Sequence, residues 1–416
     1  MQEHHQTEVP LSLTEADHLL ILSASTGTGH NTAAKAVKKE WEARGGRATI
    51  KESLEFLRRG EQRLATVGYE KVVLYTPKGF GLLYQAGNLY DKTIRTSPTH
   101  FMNGKASIRL LRYINQHHFT AVFCTHLFPM QALTDLIEKN LLTIPSFSVM
   151  TDYTVIPFYR KTNLDYYFLS NPYDIPTFLE AGYTEDQLIP SGIPVDTKFN
   201  QAIDKVTARR VLDLLPPYYN PNSDDPLPPL FVIMTGGMGY GHPLEIARDL
   251  LIMAPNAQIV LLAGNNRSLK RAANRAFAHE PGVKTIDFTD KVHLYFAAAD
   301  VLLTKPGGLS STEATTSRIP LVLTKPIPGL ETYNQKFFVQ HGCALAGNTS
   351  KKAAERAIFL YKHPQLSKRM MDCQAHEVKG NATATIVQKI TSVLRNRDDS
   401  QEDLAASALE RKETRH

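Results

Sequence analysis

The chain reads as α/β, with two doubly wound parallel-sheet halves. Three observations predict this. The apolar run 18–23 is followed by a glycine turn at 25–30 and a helical pattern over 31–44. The same grammar restarts later, with the run 230–234, a glycine turn at 235–241 and a helix over 243–254. Between the halves, 215–229 is crowded with proline, asparagine and aspartate and reads as an exposed connection. A parallel strand, helix, strand crossover is right-handed, so each opening implies a Rossmann-like unit. At 416 residues the chain accommodates two such domains of roughly 150–200 residues each.

Taken in order, residues 18–23 form a near-continuous apolar run, as a strand buried on both faces requires. In 31–44, Ala33, Ala34, Ala36, Val37 and Trp41 fall on one helical face, and Gly45-Gly46 ends the helix. A second strand opens at 48–50. Strands at 121–124, 146–150, 165–170 and 191–196 complete the first half. The second half carries strands at 230–234, 258–264, 283–288, 300–304 and 320–324, with a helix over 267–277. The expected division is a first domain over 18–198, a linker region over 199–229 and a second domain over 230–380. A C-terminal helix over 381–395 and a loose charged tail over 396–416 follow.

Composition narrows the function classes. With 42% apolar and 21% charged residues the chain is ordinary for a globular protein. No apolar run approaches the roughly 18 residues that span a bilayer, and residues 1–10 lack the apolar core of a secretory signal. The three cysteines show no CxxC spacing, so neither a zinc site nor a disulfide framework is expected, and a cytoplasmic setting fits. A net charge of +6 and a pI near 9.0 favour an anionic partner. Residues 60–115 interleave aromatic and basic side chains. They read either as packed helices with a solvated basic face or as a surface resting on anionic lipid. No nucleic-acid motif accompanies them, so no nucleic-acid partner is expected.

The stretch 305–314 is the most informative for chemistry. It follows a buried strand and leads into a helix start. Gly307 and Gly308 let the backbone approach a ligand with no Cβ in the way. The free amides of the new helix, with Ser310, Ser311 and Thr312, point where an anion sits. Glu313 falls in the first turn, placed to accept from a sugar diol. The bland alternative is an ordinary capped helix.

His30 stands at the start of a helix beside the glycine turn. A helix N-terminus lowers an imidazole's pKa and keeps it neutral, which suits a general base for an alcohol; the alternative is a capping or packing histidine. Asp152 ends a strand, where sites of open parallel sheets lie. It fits a base, a partner orienting His30, or a turn cap. His126, after the strand at 121–124, is a further candidate. Glu331 and Asn334 follow a proline-glycine loop at the same sheet edge as Gly308 and suit sugar hydroxyls. No DxD pair, HExxH or Cys/His cluster occurs, so no metal is expected. A dinucleotide fingerprint is disfavoured: Gly27 and Gly29 match GxG, but Thr32 stands where the third glycine belongs, and Glu52 is the nearest ribose acid.

These residues, in order, resemble a known family. The set is Ser25 to His30 with Ala33-Ala34, Thr151-Asp152-Tyr153, Ser191 to Val195, Thr235 to Gly239, Lys305 to Gly308 with Glu313-Ala314, and Pro326 to Gly329 with Glu331 and Asn334. The chain is similar to the monogalactosyl- and diglucosyl-diacylglycerol synthases of glycosyltransferase family 28, over roughly residues 18–390. The resemblance implies a GT-B fold, two Rossmann-like domains facing across a cleft, and an inverting transfer of glucose or galactose from a UDP-sugar to diacylglycerol. No cofactor is implied; the UDP-hexose is a substrate.

Carried onto this sequence, Phe288 and Thr289 hold the uracil and Glu313 the ribose. Gly237, Gly308, Leu309 and Ser310 surround the diphosphate, and Glu331 with Asn334 hold the hexose. Gly27, Gly29, His30 and His126 face the acceptor, and the 60–115 stretch meets an anionic membrane surface from the cytoplasmic side. Tyr159 stands where many members have tryptophan and Leu330 where glutamine is common, which bears on acceptor and sugar choice. Two other readings remain: the same fold acting on a polyprenyl-linked or secondary-metabolite acceptor, or a non-catalytic nucleotide-sugar-binding membrane protein. The number of sugars added and the oligomeric state stay open at this stage.

Overall fold

The computed structural model describes residues 12–25, 28–57, 100–156, 159–217, 219–220, 226–234 and 241–413. Gly27, Gly237, the glycine turn at 235–240 and most of the aromatic and basic stretch lie outside the described residues.

The first sheet comprises β1 (His18–Ser23), β2 (Arg47–Glu52), β3 (Ala121–Cys124), β4 (Ser146–Val149), β5 (Tyr166–Phe168) and β6 (Leu188–Ile189). The second comprises β7 (Leu230–Met234), β8 (Gln258–Gly264), β9 (Val283–Asp287), β10 (Val301–Thr304), β11 (Leu321–Thr324) and β12 (Leu345–Gly347). Their orders are β2-β1-β3-β4-β5-β6 and β12-β11-β10-β7-β8-β9, and every pairing is parallel. The helices are α1 (Thr28–Ala43), α2 (His100–His117), α3 (Leu127–Glu138), α4 (Ile175–Leu179), α5 (Lys205–Val211), α6 (Pro243–Met253) and α7 (Arg267–Ala276). They continue as α8 (Val292–Ala298), α9 (Gly308–Thr316), α10 (Leu330–Gln340), α11 (Ser350–Lys362), α12 (Pro364–Glu377) and α13 (Ala382–Glu413).

The apolar runs become central strands for a plain reason. Both faces of each sheet are covered by helices, so strands such as β1, β3, β10 and β11 are buried at every residue. Trp41 fills the space under β1, completely buried, with Nε1 donating to the Asp17 carbonyl at 3.1 Å. Sequence boundaries hold within a residue or two for most of these strands.

Three segments differ from the sequence expectation. The sixth strand is Leu188–Ile189, whereas 191–196 is an unpaired extended segment; its Ile193 and Val195 leave the first sheet to join the core of the second domain. Inside the stretch expected as linker, α5 is anchored on the second domain. Arg209 there is fully buried, donating to the carbonyls of Ala298 and Pro228 at 3.0 Å each and to Asp300 Oδ2 at 2.8 Å. Three hydrogen bonds, one of them to a carboxylate, are what make the buried guanidinium tolerable. Finally, α13 is a continuous helix to Glu413, where a loose tail was expected from 396. Its Ile386, Val387 and Ile390 cross back onto the first domain against Leu19, Ile21 and Trp41, and Arg395 pairs with Asp17 at 2.6 Å.

The carboxyl ends of β1, β3 and β4 therefore face those of β10 and β11 across a seam between the domains. That is where an open α/β sheet collects ligands.

Candidate active site

On the first domain, the turn after β1 is tied down by Glu52 at the end of β2. Its Oε2 accepts from the Ser25 amide at 2.9 Å and from Ser25 Oγ at 2.5 Å, and Oε1 accepts from the Leu54 amide at 3.2 Å. The carboxylate that a dinucleotide-binding reading needs on a ribose is thus occupied by protein. Asn31 adds a second brace, accepting from Ser23 Oγ at 2.6 Å and donating to Ser25 Oγ at 3.1 Å.

This turn delivers His30 as the third residue of α1. Its Nδ1 lies 2.8 Å from the Thr125 carbonyl oxygen and 3.1 Å from Thr151 Oγ1. A carbonyl only accepts, so Nδ1 carries the proton and the lone pair of neutral His30 sits on Nε2. Burial lowers the His30 pKa, with the Thr125 hydrogen bond opposing. His126 meets it edge-on, ring centroids 4.7 Å apart at 89°. It caps α3, its Nδ1 accepting from the Phe128 amide at 3.1 Å. Burial, helped by His30, holds His126 well below the ordinary histidine range. Both rings are therefore neutral at pH 7, and only His30 is tautomerically set to accept a proton.

On the second domain, β10 runs through Lys305-Pro306-Gly307 into α9. The N-cap Gly307 makes no side-chain cap, and the amides of Gly308, Leu309 and Ser310 have no intrahelical acceptor. Gly308 is a glycine for steric reasons. A Cβ there would stand 1.9 Å from the Thr151 carbonyl oxygen and 3.2 Å from Asp152 Oδ1. The glycine turn of one domain thus touches the β4 loop of the other. Leu309 closes the seam beside it, since a Cβ on Gly29 would meet Leu309 Cδ2 at 3.4 Å. Gly29 thus lies beside the donor-side turn as well as the acceptor-side histidine.

Because α9 starts at Gly308, Glu313 falls in the second turn, not the first. Its carboxylate has no hydrogen bond or ion pair among the described residues. Burial, with the negative Asp196 adding to it, pushes its pKa up to about 8. A recessed acid without a donor is what a vicinal diol would satisfy. Phe288, 71% exposed, and Thr289 follow β9 at the same sheet edge.

The loop after β11 turns at Gly329, whose φ of 108° is a glycine conformation. It places Glu331 at the start of α10, paired with Lys305 and accepting from the Ile327 amide at 2.9 Å. Lys305 stood outside the sequence-derived candidates; Glu331 is not a free carboxylate because of it. Asn334 is completely buried: Oδ1 accepts from the Tyr153 amide at 2.8 Å, and Nδ2 donates to Asp152 Oδ1 at 2.8 Å and to the Pro306 carbonyl at 3.2 Å. Asp152 is raised to about 6 by burial, with the Asn334 hydrogen bond opposing, Glu331 adding and Lys305 opposing. Tyr153, quoted in the sequence motif but given no role there, inserts between Phe337 and Phe338 of the other domain. A cavity of about 580 Å³ lined by Phe199, His293, Phe296, Arg318 and Tyr361 lies elsewhere, and none of the candidate residues lines it.

Gly27 and Gly237 fall outside the described residues. Among the rest, the structure gathers His30, His126, Asp152, Gly308, Leu309, Glu331 and Asn334 around one seam, and the amide of Ser310 and the carboxylate of Glu313 lie on the helix that leaves it.

Residues 30–195 match the family model for monogalactosyldiacylglycerol synthase, and 243–390 match the C-terminal domain of glycosyltransferase family 28. A processive diacylglycerol beta-glucosyltransferase of Bacillus licheniformis is 27% identical over 341 residues, 81% of this chain and 85% of that protein. The protein of the same description from Bacillus pumilus is 25% identical over 377 residues, covering 89% and 94%. Among solved structures, MurG of Acinetobacter baumannii superposes with a TM-score of 0.59 at 16% identity, covering 90% of this chain and 99% of that one. With two six-stranded parallel sheets meeting at a cleft, and a monogalactosyldiacylglycerol synthase domain followed by a glycosyltransferase family 28 C-terminal domain, the protein is a GT-B glycosyltransferase similar to the processive diacylglycerol glucosyltransferases.

Proposed function

We propose that the protein transfers glucose from UDP-glucose to the free hydroxyl of diacylglycerol, with inversion, giving a β-glucosyl-diacylglycerol. The observation that carries this reading is the meeting of two unlike helix starts across one seam. His30 presents an Nε2 lone pair with no hydrogen-bond partner among the described residues on one side. The N-terminus of α9 presents amides without an acceptor among the described residues on the other, one turn from Glu313, whose carboxylate has no partner among them either. The glucosyltransferases related to this chain support the sugar and the acceptor.

The residues then act as follows. Glu313 accepts from the ribose hydroxyls and Phe288 with Thr289 receives the uracil. The amides of Gly308, Leu309 and Ser310 hold the diphosphate together with Gly237. Glu331 and Lys305 border the hexose. The glycerol hydroxyl attacks the anomeric carbon from the face opposite the diphosphate, and its proton passes to His30 Nε2. The new C–O bond forms as the bond to the diphosphate oxygen breaks, and UDP leaves with the bonding pair. The α9 amides stabilise the charge that grows on it. Asp152, whose Oδ2 carries no partner among the described residues, faces the attacking hydroxyl.

In this division of labour the first domain serves the acceptor and the membrane and the second serves the donor. No helix among the described residues is long and apolar enough to cross a membrane. We place the protein peripherally on the cytoplasmic face, with the net charge of +6 supporting contact with anionic lipid. The test is purified protein with UDP-glucose or UDP-galactose and diacylglycerol vesicles, with lipid products identified by mass spectrometry and by hydrolysis. Formation of a hexosyl-diacylglycerol from UDP-glucose is expected. Absence of glycolipid with either donor overturns the reading.

A further inference from the structure

We infer that Asn334 is a positioning residue for Asp152, and that it makes the carboxylate competent only when the two domains are closed. The inference rests on the transfer reading above, and it gives Asn334 a different task from holding the donor hexose.

The geometry is specific. Asn334 lies in α10 of the second domain, fully buried. All its polar groups are engaged, and two of the three partners, the Asp152 carboxylate and the Tyr153 amide, belong to the first domain. The third is the Pro306 carbonyl beside the glycine turn of its own domain. An amide engaged in this way has no donor left for a sugar hydroxyl.

The loop that carries Asp152 is held by the same helix. The Tyr153 ring lies 4.5 Å from Phe337 at 26° and 4.5 Å from Phe338 at 65°. Its hydroxyl is 2.8 Å from Thr312 Oγ1, which itself donates to the Gly308 carbonyl at 2.7 Å, so the tyrosine is the donor. Tyr153 is 5% exposed and counts with the core of the other domain. Just past the end of α10, Tyr173 stacks on His341 at 4.9 Å, and its hydroxyl donates to Glu377 at 2.9 Å. Opening the seam withdraws Tyr153 and strips Asp152 of its amide donor in one movement.

The helix that carries Glu331 on the donor side thus also reaches the acceptor-side acid. Donor-driven closure and the placement of Asp152 Oδ2 become one event, as lids that complete a catalytic constellation do. The charged and titratable groups facing Asp152 are Glu331 of α10 and Lys305 of the β10 turn, with His30 reached through Thr151.

Asn334→Asp tests this. The variant keeps the volume and the oxygen that accepts from Tyr153, and replaces the donor by a second carboxylate beside Asp152. Two carboxylates in one site raise one pKa strongly. The expected result is a fall in kcat of about 10–100-fold at pH 7, with the acid limb of the kcat profile moved up by about one pH unit or more. The KM for UDP-glucose should change less than about threefold, since uniform donor binding is left alone. A tenfold rise in KM with an unmoved pH profile would make Asn334 a hexose ligand and overturn the proposal, as would no change in either. Calorimetric UDP binding checks the fold. Should the aspartate variant not fold, Asn334→Ser takes its place: loss confined to kcat upholds the proposal and loss confined to KM overturns it. Titration of the Asp152 carboxyl carbon by NMR reads the same shift without turnover. An inactive wild type therefore defeats the transfer reading alone.

Discussion

The two units share one order of strand, glycine turn and helix and, in the proposed transfer, divide the chemistry. In the first, the turn between β1 and α1 is braced by side chains: Glu52 holds Ser25 through two hydrogen bonds, and Asn31 bridges Ser23 and Ser25. The helix start then carries an imidazole whose tautomer is set by the Thr125 carbonyl. In the second, the turn between β10 and α9 has no side-chain cap, and the carboxylate behind it has no partner among the described residues. A satisfied helix start can do proton chemistry because its neighbours hold one side chain still. An unsatisfied one is a receptor for an anion, because the missing partner is the ligand. In the proposed transfer one fold element is finished by protein, the other by substrate.

The comparison breaks most sharply at His30. His30→Ala should lower kcat by about 10²–10⁴-fold, the usual worth of a positioned general base, while calorimetric UDP binding changes little. If UDP binding and kcat fall together, the proton and anion tasks are not divided between the units. Next in size is Gly308→Ala. The added Cβ would meet the Thr151 carbonyl oxygen at 1.9 Å, so the domains must part by an ångström or more. Misplacement of that order costs about 10²-fold in rate. A kcat near wild type would mean that the seam is not closed during transfer.

Glu313→Gln sharpens the other side and separates binding from stability. Losing the carboxyl that accepts from two hydroxyls should weaken UDP binding about 10–100-fold. Stability should move the other way. The carboxyl has an ordinary value of 4.5 and is raised to about 8 in the folded protein. Between those values the folded state keeps a proton that the unfolded state has released, so this residue makes stability fall as pH rises through the window. Above pH 8 the buried charge is at its most destabilising. The glutamine variant should therefore melt higher than wild type at pH 8.5, with the gap shrinking toward pH 5. A lower melting temperature at pH 8.5 would show that the carboxylate has a partner.

Much of this was legible in the sequence, and the limits are instructive. Strand runs were readable because helices cover both sheet faces and leave no alternation to decode. His30, Gly308 and Glu313 stood out because their neighbours in sequence, a glycine turn and a helix start, already define a local geometry. Contacts across the seam left no such local mark. Tyr153 sits three residues beyond a strand in a polar stretch, and nothing nearby says that its ring belongs to the core of the other domain. Asn334 carried a sugar-binding composition, yet its partners lie more than 180 residues away in sequence, at Asp152 and Tyr153. The 191–196 segment failed for the same reason: Ile193 and Val195 look like strand residues, but the surface that buries them is the second domain's.

The smallest expected effect tests the seam with one atom. Tyr153→Phe keeps the ring between Phe337 and Phe338 and removes only the donor to Thr312 Oγ1. Thr312 retains its own bond to the Gly308 carbonyl, so no donor is orphaned and the acceptor lone pair alone loses its partner. Such a loss is worth about 0.5–1.5 kcal/mol. It would act wholly on closure, since the hydrogen bond spans the two domains. The closed fraction, and with it kcat, should fall by about two- to tenfold if closure is near balance, and not at all if the closed state dominates heavily. Tyr153→Leu removes the stacking as well and should fall further in kcat, with UDP affinity of the second domain preserved. Equal kcat for the phenylalanine and leucine variants would show that the aromatic insertion does not hold the domains together.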